Sequence, residues 1–150
     1  MGPDENKELV RRQFALIGAG DLSQAAALWS DPSFNHGRKT DPAGILKVYE
    51  SLQSVRERHV LHEMIAEGEW VAVRTTCSGV HLARPEFPVN GGIFEGLDPT
   101  GREYTFQHIH LFRVVDGKIH EHWANRDDLS AARQIGLVLS AAPNLPPPQR

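Results

Sequence analysis

The apolar residues change their period once along the chain, after His59. Before this point they recur at helical spacing, and after it they alternate as they do in a half-buried strand. Helices followed by antiparallel strands are typical of the α+β class. We therefore expect three helices on a strongly curved sheet, with a pocket between them. Residues 34–36 are a candidate strand, as are residues 92–94 within the loop 82–103. The predicted helices cover 4–18, 22–29, 42–55 and 129–135, and the predicted strands cover 60–66, 69–81, 104–115 and 118–125.

The size and charge of the chain exclude several classes of protein. Its 150 residues suit one domain of ordinary size, which we place at residues 1–140, before a proline-rich tail at 141–150 that we expect to be disordered. The net charge of −3 argues against a nucleic-acid partner. The single Cys77 excludes an internal disulfide. We find neither a signal-peptide pattern nor an apolar run long enough for a membrane span. We expect a cytoplasmic protein with no membrane partner.

Eight histidines are the unusual feature of the composition, and four of them lie in the last predicted hairpin. Its turn is Asp116-Gly117, a strong signal for a two-residue loop that pairs the residues on either side of it. In the regular ladder that follows, His108 and His110 face one side of the sheet, and His120 and His122 face the other. A four-histidine metal site therefore fails unless a bulge shifts the register by one residue. Two histidines on one strand would still need a third ligand and an open position, so we predict no metal site.

The side of the hairpin that carries His108 and His110 is mostly apolar, and we predict that it faces the pocket. A few polar groups in an apolar pocket are the usual composition of a ligand site. The opposite side is mixed in polarity, with Ile109 and Leu111 beside Arg113, and we predict that a homodimer forms through it. In the predicted register the pocket side also carries Phe106, Phe112, Glu121, Trp123 and Asn125.

The C-terminal half of the chain carries a recognisable family pattern. It consists of His110-Leu111-Phe112-Arg113-Val114-Val115-Asp116-Gly117-Lys118-Ile119, followed by Glu121-His122-Trp123 and Asp127-Asp128-Leu129. These residues resemble the SnoaL-like polyketide cyclases, which are part of the nuclear-transport-factor-two-like superfamily. Asn35-His36-Gly37 agrees with the same pattern, and the resemblance covers roughly residues 6–137.

The resemblance implies an α+β cone, a cone-shaped barrel of three N-terminal helices packed on a strongly curved mixed or antiparallel sheet that encloses a deep pocket. It also implies cyclisation of a polyketide ester without a cofactor. In that reaction a carboxylate takes a proton from carbon, and a histidine assists at the enolate oxygen. The histidine matches His110, but the carboxylate position directly after Trp123 is Ala124. Alanine cannot accept a proton, so aldol cyclisation does not transfer directly to this chain.

We therefore expect a cofactor-free enzyme of natural-product biosynthesis that acts by acid–base chemistry. Its partner would be a small apolar or aromatic substrate, polyketide-derived or similar and cyclic. Cyclisation, isomerisation, dehydration and hydrolytic ring opening are all open as the reaction. The alternative is a non-catalytic small-molecule binding protein, or an accessory subunit of an oxygenase step, because Ala124 removes the usual base.

His110 is the first candidate for the acid–base residue, because an imidazole titrates near neutral pH. His108 and Asp127 are the other catalytic candidates, although capping of the last helix is an ordinary role for such an aspartate. Glu121 is a further candidate base, or else an ion-pair partner of Arg74. The expected substrate-binding residues are Asn125, Trp123, Glu121, Phe112, Phe106, Asn35, Trp29 and Tyr49.

Overall fold

The computed structural model describes residues 2–87 and 89–137, and the proline-rich tail lies outside these ranges. The predicted helices and long strands are confirmed, except that the second helix ends at Ala26 and Trp29 begins a strand, and residues 92–94 form no strand. The helices are α1 (Pro3–Ala19), α2 (Leu22–Ala26), α3 (Pro42–Ser54) and α4 (Asp128–Gln134), and a 3-10 turn spans Asn90–Gly92. The strands are β1 (Trp29–Asn35), β2 (Arg38–Thr40), β3 (Arg58–Glu67), β4 (Trp70–Val80), β5 (Glu103–Val115) and β6 (Lys118–Arg126).

All six strands form one mixed sheet in the order β2-β1-β6-β5-β4-β3. Neighbouring strands are antiparallel, except that β1 runs parallel to β6. Because β2 and β3 lie at its two edges, the sheet is open and is not the barrel that we expected. The α+β class is confirmed, since the helices pack on a single sheet.

Capping and turn residues account for several ends of these elements. Asp41 accepts a hydrogen bond from the backbone N–H of Gly44 at 2.8 Å and so caps α3. Gly20 ends α1 at a φ of +83°, a backbone conformation in which glycine has no steric penalty. Asp116 and Gly117 both have positive φ, as a two-residue hairpin turn requires. In the described ranges no helix is long and apolar enough to cross a membrane.

Two buried clusters hold the helices on the sheet. The larger cluster packs α1, α2 and α3 against the central strands, and the smaller one lies under the 3-10 turn and α4. Phe106, which we predicted to bind substrate, belongs to the smaller cluster. The larger cluster includes Val10, Phe14, Ile45, Tyr49, Val73, Phe112 and Ile119, and the smaller one includes Val55, Cys77, Phe94, Tyr104, Ala131 and Ile135.

A β-bulge in the last hairpin reverses part of the predicted register. The first two pairs beyond the turn are those predicted, but Arg113 then pairs with Glu121, which leaves His120 without a partner on β5. Because side chains alternate along a strand, one extra residue turns every following side chain of β6 to the other face. His122 therefore lies on the inner face and Trp123 on the outer face. The prediction that His122 faces away from His108 and His110 is wrong.

The bulge lies where β6 meets β1. The register between these two strands also shifts, between Trp29 and Phe34 on β1. Nδ1 of His120 lies 3.0 Å from Oγ of Ser30, and the His120 ring meets Phe34 edge-on with centroids 5.6 Å apart. These contacts hold the extra residue against β1, so a strand that is distant in sequence stabilises the bulge.

Candidate active site

A cavity of about 750 Å³ lies between the helices and the inner face of the sheet. Its volume is in the range of sites that bind small organic molecules. Five of the eight histidines line it, namely His36, His59, His108, His110 and His122. The rest of the wall includes Phe14, Trp29, Asn35, Ile45, Tyr49, Glu57, Phe112 and Arg126.

A hydrogen-bonded chain runs along the cavity wall from β1 through β6 to β5. Nδ1 of His122 lies 2.9 Å from Oδ1 of Asn35, and Nε2 of His122 lies 3.0 Å from Nδ1 of His110. An amide oxygen only accepts hydrogen bonds, so His122 donates from Nδ1 and accepts at Nε2. Burial lowers the pKa of His122 to about 3 and that of His110 well below its ordinary value, so both rings are neutral at pH 7. His110 therefore donates from Nδ1 and carries its lone pair on Nε2.

His108 is a buried imidazole that stacks on His110, with ring centroids 3.8 Å apart. Its exposed fraction is 5%, and among the described residues neither of its ring nitrogens has a hydrogen-bond partner. Burial first, and then the positive charges of neighbouring groups, lower the pKa of His108 to about 2, so this ring is also neutral. Leaving buried polar atoms without partners is costly. A molecule or ion that supplied a partner to His108 would relieve that cost.

Glu57 brings a buried carboxylate to the cavity. Its Oε1 lies 3.3 Å from Nε2 of His59, and its Oε2 accepts a hydrogen bond of 3.1 Å from the Tyr104 hydroxyl. Burial and the negative charge of Glu57 raise the pKa of Tyr104 above its usual value, so the phenol stays protonated and donates. The carboxylate therefore orients the His59 ring, a contact that the sequence analysis did not identify.

Aromatic rings form the apolar part of the wall. Nε1 of Trp29 donates to the hydroxyl of Tyr49 at 2.8 Å, which satisfies both polar atoms of this buried pair. The Phe14 ring contacts the His110 ring edge-on with centroids 5.2 Å apart. Trp29, Phe14 and Phe112 thus offer rigid ring surfaces to a ligand.

Arg126, at the end of β6, is a cation in the cavity wall. Its Nε donates to Oδ1 of Asp128 at 3.0 Å, and only 15% of its side chain is exposed. Burial first, and then the charge of Arg126, lower the pKa of His36. The pKa values of His108 and His110 are lowered in part by the same charge. Arg126 therefore adds a fixed positive charge that acts across the cavity.

Three of the predicted substrate-binding residues, Glu121, Trp123 and Asn125, lie on the outer face because of the bulge. Trp123 and Asn125 are exposed, and Nε1 of Trp123 donates to Oε1 of Glu121 at 2.7 Å. Arg74, the expected partner of Glu121, pairs instead with Glu63 at 2.7 Å. Placing these three residues in the pocket was wrong, since the ladder shifts by one residue before it reaches them.

Two further candidates lie outside the cavity wall. Oδ1 of Asp127 accepts a hydrogen bond of 3.1 Å from the backbone N–H of Ser130, so Asp127 caps α4. Phe106 stacks on Tyr104 in the smaller core cluster, with ring centroids 6.0 Å apart. The remaining sequence-predicted residues do line the cavity, namely Trp29, Asn35, Tyr49, His108, His110 and Phe112.

Ala124 lies directly opposite His110 in the ladder, so its side chain shares the inner face. The position at which the resembling family has a carboxylate therefore carries only a methyl group here. His122 could not be identified from the sequence, because its direction depends on the bulge. His59 could not be identified either, because it meets β5 only across another strand. Arg126 was not among the predicted site residues. The available signal in the sequence was the alternation of inner and outer side chains along β6, counted from the turn. The bulge reverses that alternation.

Sequence comparisons show that the chain is similar to polyketide cyclases. A model of the family described as SnoaL-like polyketide cyclase matches residues 7–135. The aklanonic acid methyl ester cyclase DauD of Streptomyces sp. strain C5 is 34% identical over 87 residues, which cover 55% of this chain and 48% of that protein. The nogalonic acid methyl ester cyclase of Streptomyces nogalater is 29% identical over 107 residues, which cover 69% and 73%. The chain thus spans about half the length of the aklanonic acid methyl ester cyclases that it matches.

Solved structures share the fold. AclR, a candidate hydroxylase from Streptomyces galilaeus, matches with a TM-score of 0.72 at 25% identity, over 92% of this chain and 100% of that chain. TsrD from Streptomyces laurentii matches with a TM-score of 0.71 at 21% identity, over 92% and 99%. At the identity of TsrD the likeness shows the fold alone.

Proposed function

The chain belongs to the SnoaL-like polyketide cyclase family, and on that premise we propose that it is a cofactor-free enzyme of natural-product biosynthesis. Its substrate would be a polyketide-derived or similar apolar cyclic compound. The reaction would begin with removal of a proton from a carbon atom next to a carbonyl group. One observation carries this proposal: the chain from Asn35 through His122 to His110 leaves Nε2 of His110 unprotonated in a residue of the cavity wall.

His110 is the base in this proposal. A neutral imidazole with its lone pair on Nε2 can accept a proton, and the hydrogen bond to His122 orients the ring. Asn35 holds His122 in the tautomer that can accept from His110. Burial makes His110 a weak base in the free protein. An enolate that forms beside it would favour the protonated ring, because a nearby opposite charge stabilises the charged form.

Arg126 is the group that we propose to stabilise the enolate oxygen. Its guanidinium is mostly buried, lines the cavity and is held by Asp128. A cation that is already in place stabilises a developing negative charge without reorganisation. Asn125, which was predicted to bind substrate, lies on the outer face and does not reach the cavity.

The size and lining of the cavity support a polycyclic aromatic substrate. Its volume of about 750 Å³ suits a drug-sized molecule, and its ring surfaces suit stacking. Two relatives are named as cyclases of aklanonic and nogalonic acid methyl esters. A polyketide methyl ester is therefore the first substrate class to test.

A second candidate function is binding without catalysis, or service as an accessory subunit of an oxygenase step. The observation that favours it is Ala124, which faces His110 without a carboxylate. The similarity to AclR, a candidate hydroxylase, points in the same direction.

A panel of aromatic polyketide methyl esters, followed by mass spectrometry, separates these functions. Conversion by the protein alone supports the enzyme. Binding without conversion supports the binding protein, and conversion only in the presence of a reductase partner supports the accessory subunit.

We also propose a homodimer in which the outer faces of two sheets pack together. This face exposes Trp70, Ile109, Leu111 and Trp123, whose exposed fractions range from 37% to 54%. Leu111 and Trp123 pair directly across the ladder, and exposed apolar residues that lie together support an interaction surface. The cytoplasmic location stays a prediction.

A further inference from the structure

Three imidazoles from two strands converge on the inner face of the sheet. One ring nitrogen of each of His59, His108 and His110 lies within 4.8 Å of the corresponding nitrogens of the other two. The ring centroid of His59 is 5.7 Å from that of His108 and 5.4 Å from that of His110. His59 lies on β3 and the other two on β5, with β4 between them. The tertiary structure therefore brings together residues that no local pattern connects.

The lone pairs of these rings outnumber the donors around them. Nδ1 of His59 lies 3.5 Å from Oγ1 of Thr75, and Nε2 of His110 lies 3.4 Å from the same atom. The carbonyl oxygen of His108, 3.5 Å from this Oγ1, is a third acceptor for its single hydrogen. One hydroxyl can donate to only one acceptor at a time. In addition, neither ring nitrogen of His108 has a partner among the described residues. The site therefore holds several buried nitrogen lone pairs that nothing in the described chain satisfies.

We propose that His59, His108 and His110 bind one divalent transition-metal ion, with Zn²⁺ as the ion that they fit best. Three histidines with a fourth position open to a cavity form a known class of zinc site, in which imidazole nitrogens bind in the neutral state. The position of His59 thus supplies what the sequence-based exclusion of a metal site lacked, a third ligand beside the pair on β5.

The surroundings of the three rings match what metal-ligating histidines require. Such a histidine usually gives its second ring nitrogen to a carboxylate or another acceptor, which fixes the tautomer. His59 has Glu57 at 3.3 Å from Nε2, and His110 has His122 at 3.0 Å from Nδ1. His122 in turn is held by Asn35. Two of the three ligands are therefore oriented with their free lone pairs on the other nitrogen.

An alternative group of ligands, formed by Glu57, His59 and Cys77, also lies within 4.8 Å. It is the weaker candidate, because a metal-binding cysteine must be a thiolate. Burial first, and then the charge of Glu57, raise the pKa of Cys77 and keep it a thiol. Glu57 is already engaged with Tyr104. The three-histidine group carries no such cost.

The charges near the site are compatible with a cation. Arg126 opposes it, but its guanidinium is paired with Asp128 at 3.0 Å. The carboxylate of Glu57, hydrogen-bonded to one of the ligands, adds a negative charge next to the site.

Metal binding and the proposed proton transfer compete for one lone pair. Nε2 of His110 can hold a substrate proton or a metal ion but not both. Occupancy by Zn²⁺ is therefore expected to inhibit the activity, and a chelator to restore it. Only this inhibition rests on the proposed function, since binding itself is measured without substrate.

The test is titration of the chelator-treated 150-residue chain with Zn²⁺ by calorimetry and with Co²⁺ by visible absorption. We expect one ion per chain and the absorption bands of a Co²⁺ ion bound by nitrogen ligands. His59→Ala and His108→Ala are each expected to weaken binding by at least about 100-fold, which is the upper end of the loss caused by removing only a residue that orients a ligand. Glu57→Gln is expected to weaken it by about 10- to 100-fold.

His62→Ala is the matched control, because His62 is an exposed histidine of the same strand that is not part of the three-histidine group, and its Nε2 lies 2.8 Å from Oγ1 of Thr76. It is expected to bind Zn²⁺ as the wild type does. If an alanine variant fails to fold, Co²⁺ broadening of histidine ring signals in the NMR spectrum of the wild type gives a second reading. Broadening must include His59, His108 and His110 and spare His62. The proposal is overturned by absence of binding at millimolar Zn²⁺, by unchanged binding in both ligand variants, or by equal loss in His62→Ala.

Discussion

Nδ1 of His110 and Nε2 of His122 lie 3.0 Å apart across the β5–β6 ladder. In a regular ladder these two rings would lie on opposite faces of the sheet. They meet because His120 is bulged out of the pairing and held against β1. The bulge thus determines the tautomer of His110 and brings His122 to the face of the sheet on which His110 already lies.

Replacement of His110 by alanine tests the proposed base. General acid–base catalysis contributes at least about 100-fold to a rate, so His110→Ala is expected to lower kcat on a converted polyketide ester by that factor or more. His62→Ala serves as the control and is expected to keep the wild-type rate. Equal turnover by wild type and His110→Ala, with both proteins folded by thermal unfolding, would show that another residue is the base.

Replacement of His122 by phenylalanine tests whether this ring positions His110. Phenylalanine keeps the ring volume but removes the partner of His110 Nδ1, a loss of about 1–3 kcal/mol for a buried hydrogen bond. We expect kcat to fall by about 5- to 150-fold with little change in KM. A change confined to KM would instead mean that His122 only contacts substrate.

The stability of the protein is expected to decrease as the pH falls below about 6.5. The pKa values of His108, His110 and His122 are lowered in the folded state, whereas an unfolded histidine has a pKa of about 6.5. Between these values the unfolded chain binds protons that the folded chain does not. Each ring can therefore remove up to about 1.4 kcal/mol of the free energy of unfolding per pH unit. Urea unfolding at pH 7.5 and pH 5.0 measures the difference, and carboxylates stay ionised over most of this window.

His122→Phe is the internal control for the pH effect, because it removes one of the three titrating rings. Its free energy of unfolding is expected to depend on pH less steeply than that of the wild type. Identical stabilities of the wild type at the two pH values would contradict the assignment of neutral buried rings.

Restoring a carboxylate opposite His110 tests the meaning of Ala124. The side chain of Ala124→Asp would share the inner face with the His110 ring, and a negative charge at that distance favours the protonated imidazole. The pKa of His110, followed by NMR, is expected to rise relative to the wild type. Ala124→Asn has nearly the same shape without the charge and is expected to leave that pKa lower than in Ala124→Asp. If His110 has the same pKa in both variants, residue 124 does not act electrostatically on His110.

The proposed dimer is tested at Ile109, which is 54% exposed on the outer face. Ile109→Arg places a charge in the centre of the proposed contact, and burial of an unpaired charge is costly. Light scattering is expected to give a dimer mass for the wild type and a monomer mass for the variant. A monomeric wild type would refute the dimer, and a dimeric Ile109→Arg would place the contact elsewhere.

Much of the fold could be predicted because its signals are local. The change of period after His59 separates the first three helices from the four long strands, Asp41 caps α3, and the turn at Asp116-Gly117 specifies the first two pairs of the hairpin. The inner position of His108 and His110 follows from alternation along β5 alone, and both are buried. Each of these features depends on residues that lie close together in the sequence, in the same element or in neighbouring ones.

The site as a whole could not be predicted, because its decisive contacts join residues far apart in sequence. The amino-acid sequence alone determined the α+β class, the hairpin turn and the match of His110 to the histidine of the family. The tertiary structure decided that β1 adds in parallel beside β6 and holds a bulge there, and that His59 reaches His108 and His110 across β4. The physical reason is the two-residue period of a strand. A single inserted residue exchanges the two faces, and its insertion depends on which strand lies alongside.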